Sequence, residues 1–428
     1  MEVRDPIHGA IALDPAEVAV ADHPWVQRLR NIRQTGFSQM AFPGATHTRY
    51  MHSLGAMHLA GRAFDQVYRG WAFDRPDARE RLRAAVRVAA LCHDLGHPPF
   101  SHCMEFAMPP LRSLPVGWLK DDDRIATHED YTVAILAHTP LAKAIADNAP
   151  FGARHVASLV RTEVKPGDDF FVDGGLDHRR LLSQIVSSEL DVDRMDYLVR
   201  DAHYTGAQYG QVDADWLLSN LAPWVANGQV NLAIEGRAVY AFDHFLLARH
   251  HMFLMVYFHH KSVVYEEMLR RYVDREDRPW RLPSDLEAYL LTDDIALMAH
   301  LREAARDDAW AARIVEQQPY KRVVEKHGAP READPGPSVA RLEAVGIPTI
   351  AAASTGRLSH YARIGSKRQQ APGIFVLERM PGQPVERVRP LTDVSVVFDR
   401  YAEERVIGRV YVPPERAEEA REVLTGRR

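Results

Sequence analysis

Apolar residues recur at steps of three and four along much of this chain, and this periodicity favours a mainly helical fold. Residues 79–93 show the pattern well, with Leu82, Ala85, Val86 and Ala89 along one face of the predicted helix. The same periodicity predicts helices over residues 53–68, 79–93, 128–147, 178–202, 242–273, 285–305 and 415–424. We therefore expect a mainly α protein.

Strand-like segments are short. Residues 229–234 and 237–242, separated by Glu235 and Gly236, predict a hairpin. Late in the chain, alternating or β-branched residues predict a small sheet built from residues 374–379, 393–399 and 405–412.

A stretch rich in proline and glycine, residues 327–340, is predicted to be a linker or mobile loop. It divides the chain into a core with a helical extension, residues 1–326, and a small α+β C-terminal lobe, residues 341–428.

Composition limits the partners that we expect. The chain has 53 basic and 58 acidic residues and a formal net charge of only -5, which indicates no overall attraction to nucleic acid or to a membrane surface. The hydrophobic fraction of 46% can support a sizeable core. We expect neither a nucleic-acid partner nor a membrane partner.

Other features of the sequence predict a cytoplasmic protein. The longest apolar stretch, residues 242–258, is interrupted by Arg249 and three histidines, which argues against an ordinary membrane span. Only two cysteines are present, Cys92 and Cys103, and we expect free thiols in a reducing compartment. The first residues lack the charged and apolar regions of a secretory signal.

Histidine next to acid is the pattern that points to chemistry. The densest run is HDLGHPPFSH, residues 93–102, at the predicted C-terminal end of a helix. Adjacent imidazole and carboxylate groups can reach one divalent ion where the backbone leaves the helix, which the glycine and prolines of this run favour. Taken alone, the pair is a common dipeptide, and a core histidine with a capping aspartate is its more frequent explanation.

Two further segments favour the metal interpretation. Upstream, His52 begins an apolar helix, with Arg49 three residues before it. Downstream, Asp193, Tyr197 and Asp201 follow one another at steps of four and share one helix face. Acid, phenol and acid on one stripe would be costly in a core, so we expect this stripe to line a cleft.

These residues resemble the metal-dependent phosphohydrolases of the HD superfamily, and within them the deoxynucleoside triphosphate triphosphohydrolases of the SAMHD/dGTPase type. The resemblance covers roughly the first 270 residues. It rests on DPIHG (5–9), VQRLR (26–30), FPGATHTRYMHSLG (42–55), LCHDLGHPPFSH (91–102), THE (127–129), ELDVDRMDYLVRDAHYTG (189–206) and RHHMFLMVYFHHK (249–261). It implies an HD-domain helical core.

Position by position, the resemblance implies that His52, His93, Asp94 and Asp193 bind a divalent metal ion. Two neutral imidazoles and two carboxylates suit Mn, Mg, Fe, Ni or Zn and leave positions open for water and phosphate. The ion would act as a Lewis acid and lower the pKa of a bound water.

Three more histidines match family histidines that lie around the phosphates: His97, His102 and His128. We expect His128, paired with Glu129, to deliver a proton to the leaving group. We expect His102, together with Asp193, to orient the attacking water.

The resemblance also implies substrate contacts. Phosphates would be bound by Arg49, Arg194 and Arg249, with Tyr257 and His259 at the family spacing. Two positions depart from the family pattern, because Arg194 and His260 stand where relatives usually carry lysine, and the second change puts the γ-phosphate contacts in doubt. The deoxyribose would be recognised by three residues, Gln34, Tyr197 and Asp201.

Asp22, Gln27 and Arg30 align with residues that in some relatives bind an activating nucleotide at an oligomer interface. The same residues could form an ordinary surface pair or cap, and a further basic residue of the family falls at Met1 here. A homo-oligomer is expected from the resemblance.

Three functions stay open on the sequence. The first is a dNTP triphosphohydrolase that releases deoxynucleoside and triphosphate. The second is an HD phosphatase acting on nucleoside monophosphates or another small phosphate ester. The third is a binding or regulatory module with a decayed site, which the complete set of candidate residues disfavours.

Overall fold

The computed structural model describes residues 1–116, 123–277, 279–356, 373–379, 385–395, 397 and 405–426. The helices of the first half are α1 Pro15–Ala21, α2 Pro24–Gln27, α3 Arg49–Val67, α4 Ala78–Cys92, α5 His128–His138, α6 Pro140–Asn148, α7 Ala153–Val160, α8 Arg179–Val186 and α9 Val192–Thr205. Those of the second half are α10 Ala214–Ser219, α11 Val239–Met252, α12 His260–Val273, α13 Leu286–Leu290, α14 Asp294–Ala304, α15 Ala309–Val315, α16 Gly336–Glu343 and α17 Ala417–Thr425.

The strands are short by comparison. They are β1 Glu2–Asp5, β2 Gly9–Ala12, β3 Val172–Asp173, β4 Leu176–Asp177, β5 Leu221–Ala226, β6 Gln229–Glu235, β7 Lys321–Gly328, β8 Ile350–Gly356, β9 Phe375–Glu378, β10 Arg387–Pro390 and β11 Arg405–Val412. Short 3-10 helices include Arg28–Asn31, Gly36–Met40 and Ser101–Ala107, and a π-helix spans Phe253–Tyr257. The expected mainly α fold is confirmed.

Helix α3 is the centre of the helical core. It packs along α4 and across α9, and nearly all of its side chains are buried. Close approach of α9 depends on Gly55, because a Cβ at this position would collide with the side chains of Asp196 and Arg200. The first turns of α3 and α9 therefore lie next to the end of α4.

The predicted helices exist but are divided where the backbone chemistry requires it. The predicted helix over residues 128–147 is two helices, because Thr139 is extended and caps α6 at Pro140. The predicted helix over 178–202 is interrupted before Asp191, which caps α9.

The predicted hairpin over residues 229–234 and 237–242 is wrong. Strand β6 pairs antiparallel with the preceding strand, β5, and residues 237–242 instead lead into α11. The turn between β5 and β6 is Asn227–Gly228, both with positive φ, which is the residue pair that two-residue hairpin turns favour. The sequence therefore contains a hairpin turn, but the turn precedes β6, whereas the prediction put it after β6.

The strands among the described residues form three sheets. The first is the hairpin of β1 and β2. The second has six strands: five lie in the order β10-β9-β6-β4-β3, and β5 pairs with β6 outside this order. The third sheet has the order β7-β11-β8. The predicted strands over residues 374–379 and 405–412 are confirmed as β9 and β11. In the predicted strand over 393–399, the described residues form no strand, and the others lie outside the described residues.

The division of the chain at residues 326 and 341 remains a proposal, with two observed adjustments. Within the predicted linker, residues 327–340, β7 continues to Gly328 and α16 begins at Gly336. The C-terminal segments also separate: β9 pairs with β6 of the core sheet, whereas β11 pairs with β7 and β8. This separation of β9 from β11 is set by the hydrogen bonding between strands, and amino-acid composition does not specify that pairing.

Cys92 and Cys103 are free thiols, as expected. In the described part of the chain, no helix combines the length and the apolar composition needed to cross a membrane.

A buried carboxylate connects α5 and α7. Asp130 accepts hydrogen bonds from Arg124 (2.6 and 2.8 Å), from the backbone N–H of Thr127 (2.8 Å) and from Arg161. Burial alone would raise the pKa of Asp130, but these hydrogen bonds and the two charges lower it below its usual range. The ionised form is therefore the one that stabilises the fold.

We expect Asp130→Asn to lower the free energy of unfolding by about 2–4 kcal/mol at pH 7, because two guanidinium groups lose their counter-charge. The depressed pKa means that this stabilisation is present above about pH 4 and is lost as the pH falls further, so the two proteins should converge in acid. Urea unfolding at several pH values measures the difference. Asp147→Asn, which removes an exposed pair with Lys143, is the control; equal stability of D130N and wild type at pH 7 would refute the assignment.

Candidate active site

Four side chains from three helices meet at one point. His52 lies in the first turn of α3, His93 and Asp94 follow α4, and Asp193 lies in the first turn of α9. The Nε2 atom of His52 is 3.3 Å from Nε2 of His93 and 3.0 Å from Oδ1 of Asp193, and Nε2 of His93 is 3.4 Å from Oδ1 of Asp94. Neighbouring ligands of an octahedral ion lie about 3 Å apart at typical bond lengths of about 2.1 Å, so the described groups could hold a divalent metal.

The backbone after α4 is shaped for this arrangement. Gly96 lies against the N-terminal turn of α5, and a Cβ at this position would collide with the carbonyl oxygen of His128. Thr132 then accepts a hydrogen bond from the N–H of Gly96 (2.9 Å) and donates one to the carbonyl of His93 (3.0 Å). The glycine thus brings α5 and its histidine next to the metal-binding group.

Hydrogen bonds on the far side of each imidazole leave Nε2 available for a metal. Nδ1 of His52 lies 2.8 Å from Oδ2 of Asp196, and Nδ1 of His93 lies 2.7 Å from the carbonyl oxygen of Ala90. Such partners fix the tautomer and the ring orientation of metal-binding histidines.

Asp196 is itself held from two directions. Arg200 donates to both of its carboxylate oxygens (2.8 and 2.9 Å), and Nε2 of His8 lies 2.6 Å from Oδ1. Burial would raise the pKa of Asp196, but the charge and hydrogen bonds of Arg200 hold it well below its usual range. The N-terminal hairpin, through His8, thereby supports the metal-binding group.

The electrostatics of the group favour bound positive charge. Burial disfavours a charged His52, but hydrogen bonds to Asp193 and Asp196 outweigh this effect and raise its pKa to about 10. Burial would likewise raise the pKa of Asp193, but hydrogen bonds from His52 and His93 lower it well below its usual range. A metal ion that binds here must therefore displace protons from the imidazole groups, and the ion supplies the positive charge that these protons carried.

Arg49 contacts a predicted metal ligand instead of facing open solvent. Its guanidinium donates to Oδ2 of Asp94 through Nη1 and to Oγ of Ser101 through Nε (2.8 Å), and it is almost fully buried. Oδ1 of Asp94 lies 3.3 Å from Nε2 of His97. Arg49 therefore orients the carboxylate of Asp94, a role that the sequence did not suggest.

A second group of titratable side chains lies beside the first: His97, His102, Glu105 and His128. The carboxylate of Glu105 contacts Nδ1 of His128 and lies 3.1 Å from Nδ1 of His102. The rings of His97 and His128 stack at 4.0 Å with an interplanar angle of 16°, so their in-plane nitrogen lone pairs run in parallel planes. Stacked rings do not suit two ligands of one small ion, and the arrangement fits proton transfer better.

The predicted partners of these histidines need correction. The sequence paired His128 with Glu129, whose side chain is exposed, whereas the observed partner is Glu105. The sequence assigned His102, together with Asp193, to the attacking water, which stays a prediction; the carboxylate in contact with His102 is Glu105. Glu105 was missed although it follows His102 by three residues, a spacing that one helical turn brings together.

Two of the three residues predicted to contact the sugar, Tyr197 and Asp201, lie in a second network, whose two hydrogen-bonded groups meet where the rings of Tyr197 and Tyr257 lie 6.5 Å apart. Asp201 accepts a hydrogen bond from the hydroxyl of Tyr257 (2.6 Å), and its other oxygen lies 2.7 Å from Nε2 of His47. The hydroxyl of Tyr197 accepts a hydrogen bond from Nε of Arg249 (3.3 Å). His47 was missed as a member of this network.

Three other predicted substrate residues differ in their surroundings. The side-chain oxygen Oε1 of Gln34 is buried and has no hydrogen-bond partner among the described residues. Arg194 donates to Asp191 (2.7 Å), and His259 caps α12 by accepting from the N–H of Lys261 (3.3 Å). The buried Oε1 of Gln34 is unused hydrogen-bonding capacity that a bound ligand could satisfy.

The three predicted effector residues do not form one cluster of contacts. Nε of Arg30 donates to Gln27 (2.7 Å), and the guanidinium lies 3.7 Å above the ring of Tyr50. Asp22 is exposed at the end of α1. Effector binding by these residues remains a proposal.

Two family models match the chain. The HD domain matches residues 49–201, and the HD associated region matches residues 212–332. The chain belongs to the HD-domain family.

Relatives of known sequence support this membership. An uncharacterized protein of Methanocaldococcus jannaschii is 32% identical over 300 residues, which are 70% of this chain and 54% of that protein. The human deoxynucleoside triphosphate triphosphohydrolase SAMHD1 is 34% identical over 219 residues, 48% of this chain and 33% of that protein. The chain thus spans about half the length, or less, of the curated relatives that it matches.

Solved structures share the fold. A hypothetical protein from Aquifex aeolicus superposes with a TM-score of 0.74 at 23% identity and covers 99% of both chains. A phosphohydrolase from Bacteroides thetaiotaomicron superposes with a TM-score of 0.67 at 22% identity over 96% of this chain and 99% of that one.

The matched HD domain contains the four candidate metal ligands and the second histidine group, whereas the associated region contributes Arg249, Tyr257 and His259. Residues from both matched regions therefore contribute to the candidate site.

We expect Asp196→Asn to weaken Mn²⁺ binding by about 10- to 100-fold, because the neutral amide no longer raises the basicity of His52. Isothermal titration calorimetry of metal-free protein with Mn²⁺ measures the affinity, and thermal melting shows whether the variant is folded. Asp215→Asn, which removes an exposed partner of Arg62, is the matched control. An unchanged affinity in a folded D196N variant would contradict the role given to Asp196.

Proposed function

We propose that the chain is a metal-dependent phosphohydrolase that converts a deoxynucleoside triphosphate into deoxynucleoside and triphosphate. The observation that carries the proposal is the convergence of His52, His93, Asp94 and Asp193 beside a group of three histidines and Glu105. When bound, a divalent ion (Mn, Mg, Fe, Ni or Zn) supplies Lewis-acid chemistry toward a phosphate oxygen.

Proton transfer is assigned to the second histidine group. Nδ1 of His128 faces Glu105, so its Nε2 can carry the proton that the leaving oxygen requires. His102, which shares the same carboxylate and has an exposed ring, can bind and orient the attacking water, with Asp193 on the metal side. His97 stacks on His128 and lies near Asp94, which restricts the motion of both groups.

The nucleotide part of the proposal rests on the relatives and on the second network. SAMHD1 of several vertebrates is named a deoxynucleoside triphosphate triphosphohydrolase. Buried Asp201 and Gln34 can exchange hydrogen bonds with a sugar hydroxyl, and the phenol of Tyr197 can close the pocket to a ribose. We assign phosphate contacts to the remaining residues Arg194, Arg249, Tyr257 and His259. A nucleotide effector and a homo-oligomer belong to the same proposal.

One observation favours a second candidate, an HD phosphatase acting on nucleoside monophosphates or another small phosphate ester. Arg49 and Arg194, two of the three arginines expected to bind phosphates, donate to Asp94 and Asp191. A substrate with fewer negative charges needs fewer cationic partners.

A substrate panel tests both candidates. We expect incubation with the four dNTPs and Mn²⁺ or Mg²⁺ to release inorganic triphosphate, detected by ion chromatography, with little release from NTPs or dNMPs. Release of inorganic phosphate alone from dNMPs or other esters would replace the first candidate with the second.

Asp193→Ala separates an enzyme from a binding module. We expect this variant to lose at least about 1000-fold in rate, because Asp193 belongs to both the metal-binding group and the water site. Asp213→Ala, which alters a helix cap outside the site, is the control. Absence of hydrolysis by the wild type, with nucleotide affinity retained in D193A, would instead indicate a module that binds without catalysis.

A further inference from the structure

The loop between the two histidine groups ends in an unusual backbone conformation. Phe100 and Ser101 have φ values of 56° and 59°, and neither is glycine. Side-chain-bearing residues rarely adopt this left-handed region, and two in succession persist only where surrounding contacts hold them. His102 and Glu105 follow immediately, in the 3-10 helix Ser101–Ala107.

One of the contacts at this strained segment comes from the HD associated region, beside those that Ser101 makes with Arg33 and Arg49. Asp294, the first residue of α14, is almost fully buried and accepts a hydrogen bond from the backbone N–H of Phe100 through Oδ1 (2.7 Å). Its Oδ2 accepts from the backbone N–H of Arg33 (3.0 Å). One carboxylate therefore fixes two backbone donors on separate segments.

The segment just before α14 holds the beginning of the same loop. The hydroxyl of Tyr289 donates to the carbonyl of Gly96 (2.8 Å). The buried guanidinium of Arg28 donates to the carbonyls of His97 (2.9 Å) and Thr292 (3.1 Å). Residues 289–294 thus contact the loop at both ends, directly and through Arg28.

We infer that Asp294 is a positioning residue that sets the backbone from which His102 and Glu105 reach the proposed proton-transfer site. The inference rests on the function proposed above. His52, His93 and Asp193 are supported by other contacts, through Asp196, Ala90 and helix α9. Asp94 is linked to the strained segment indirectly, through Arg49 and Ser101. Loss of the Asp294 carboxylate is therefore expected to displace His102 and Glu105 more than the metal-binding group.

The test compares two neighbouring acids. Asp294→Asn keeps the shape of the side chain but leaves an amide NH₂ facing one of the two backbone donors. Asp293→Asn is the matched control, because Asp293 caps the same helix through the N–H of Ala296 (2.9 Å) and contacts Asn31 (2.9 Å) without touching the loop.

We expect D294N to lower kcat by about 10- to 100-fold with KM within about threefold of wild type and with unchanged Mn²⁺ stoichiometry, since misplacement of catalytic groups by about 1 Å has effects of this size. D293N should keep kcat within about twofold. A D294N enzyme with wild-type kcat, or equal losses in both variants, would overturn the inference.

Hydrogen–deuterium exchange provides a readout that does not depend on activity. Peptides covering residues 95–107 should exchange faster in D294N than in wild type and at the wild-type rate in D293N, because the Phe100 amide loses its acceptor. Unchanged exchange in D294N overturns the inference. If the wild type hydrolyses no phosphate ester, the proposed function fails, and the exchange result alone decides whether Asp294 holds the loop.

Discussion

Compensation of buried negative charge is the constraint on which the structure depends. Asp94, Asp193 and Asp196 come together where α3, α4 and α9 meet, and each ionised carboxylate needs a partner there. Arg49 and Arg200 supply charge to Asp94 and Asp196 from within the protein. Asp193, whose side chain is one-third exposed, has the imidazoles of His52 and His93 as its ion-pair partners, and we propose that a divalent ion completes the charge balance here.

The fold around this point serves to hold three helix ends together. Gly55 allows α9 to lie against α3, and Gly96 allows α5 to lie against the loop after α4. The associated region then contacts that loop from outside the HD domain through Tyr289 and Asp294. The HD domain contains the candidate metal ligands, and the loop that carries its other histidines is contacted by residues far later in the chain.

The sequence predicted the residue types of the site better than their partners. His52, His93, Asp94 and Asp193 could be named because the motifs that contain them resemble those of the HD family, and their donor atoms suit a divalent metal. Glu105 was missed because the neighbouring acid Glu129 offered a simpler pairing, and helix direction, which decides between the two, is a tertiary property. The pairing of Arg49 with Asp94 could not be predicted either, because the sequence does not indicate which carboxylate or phosphate an arginine contacts.

The fold shows the same division between local and long-range information. The positions of the helices could be predicted from the periodicity of apolar residues. The errors in the predicted helix ends arose at capping residues such as Thr139 and Asp191. Sheet pairing could not be predicted from composition. The sequences of β9 and β11 are similar in character, and the two strands nevertheless belong to different sheets. The pairing of a strand is decided by which edge the rest of the chain leaves available.

The most direct test of the account is a crystal structure of the protein grown with Mn²⁺, with anomalous diffraction data collected near the manganese edge. We predict one strong anomalous peak at about 2.0–2.3 Å from Nε2 of His52, Nε2 of His93 and carboxylate oxygens of Asp94 and Asp193. A peak elsewhere, or none at this position with the four side chains arranged as described, would contradict the central claim.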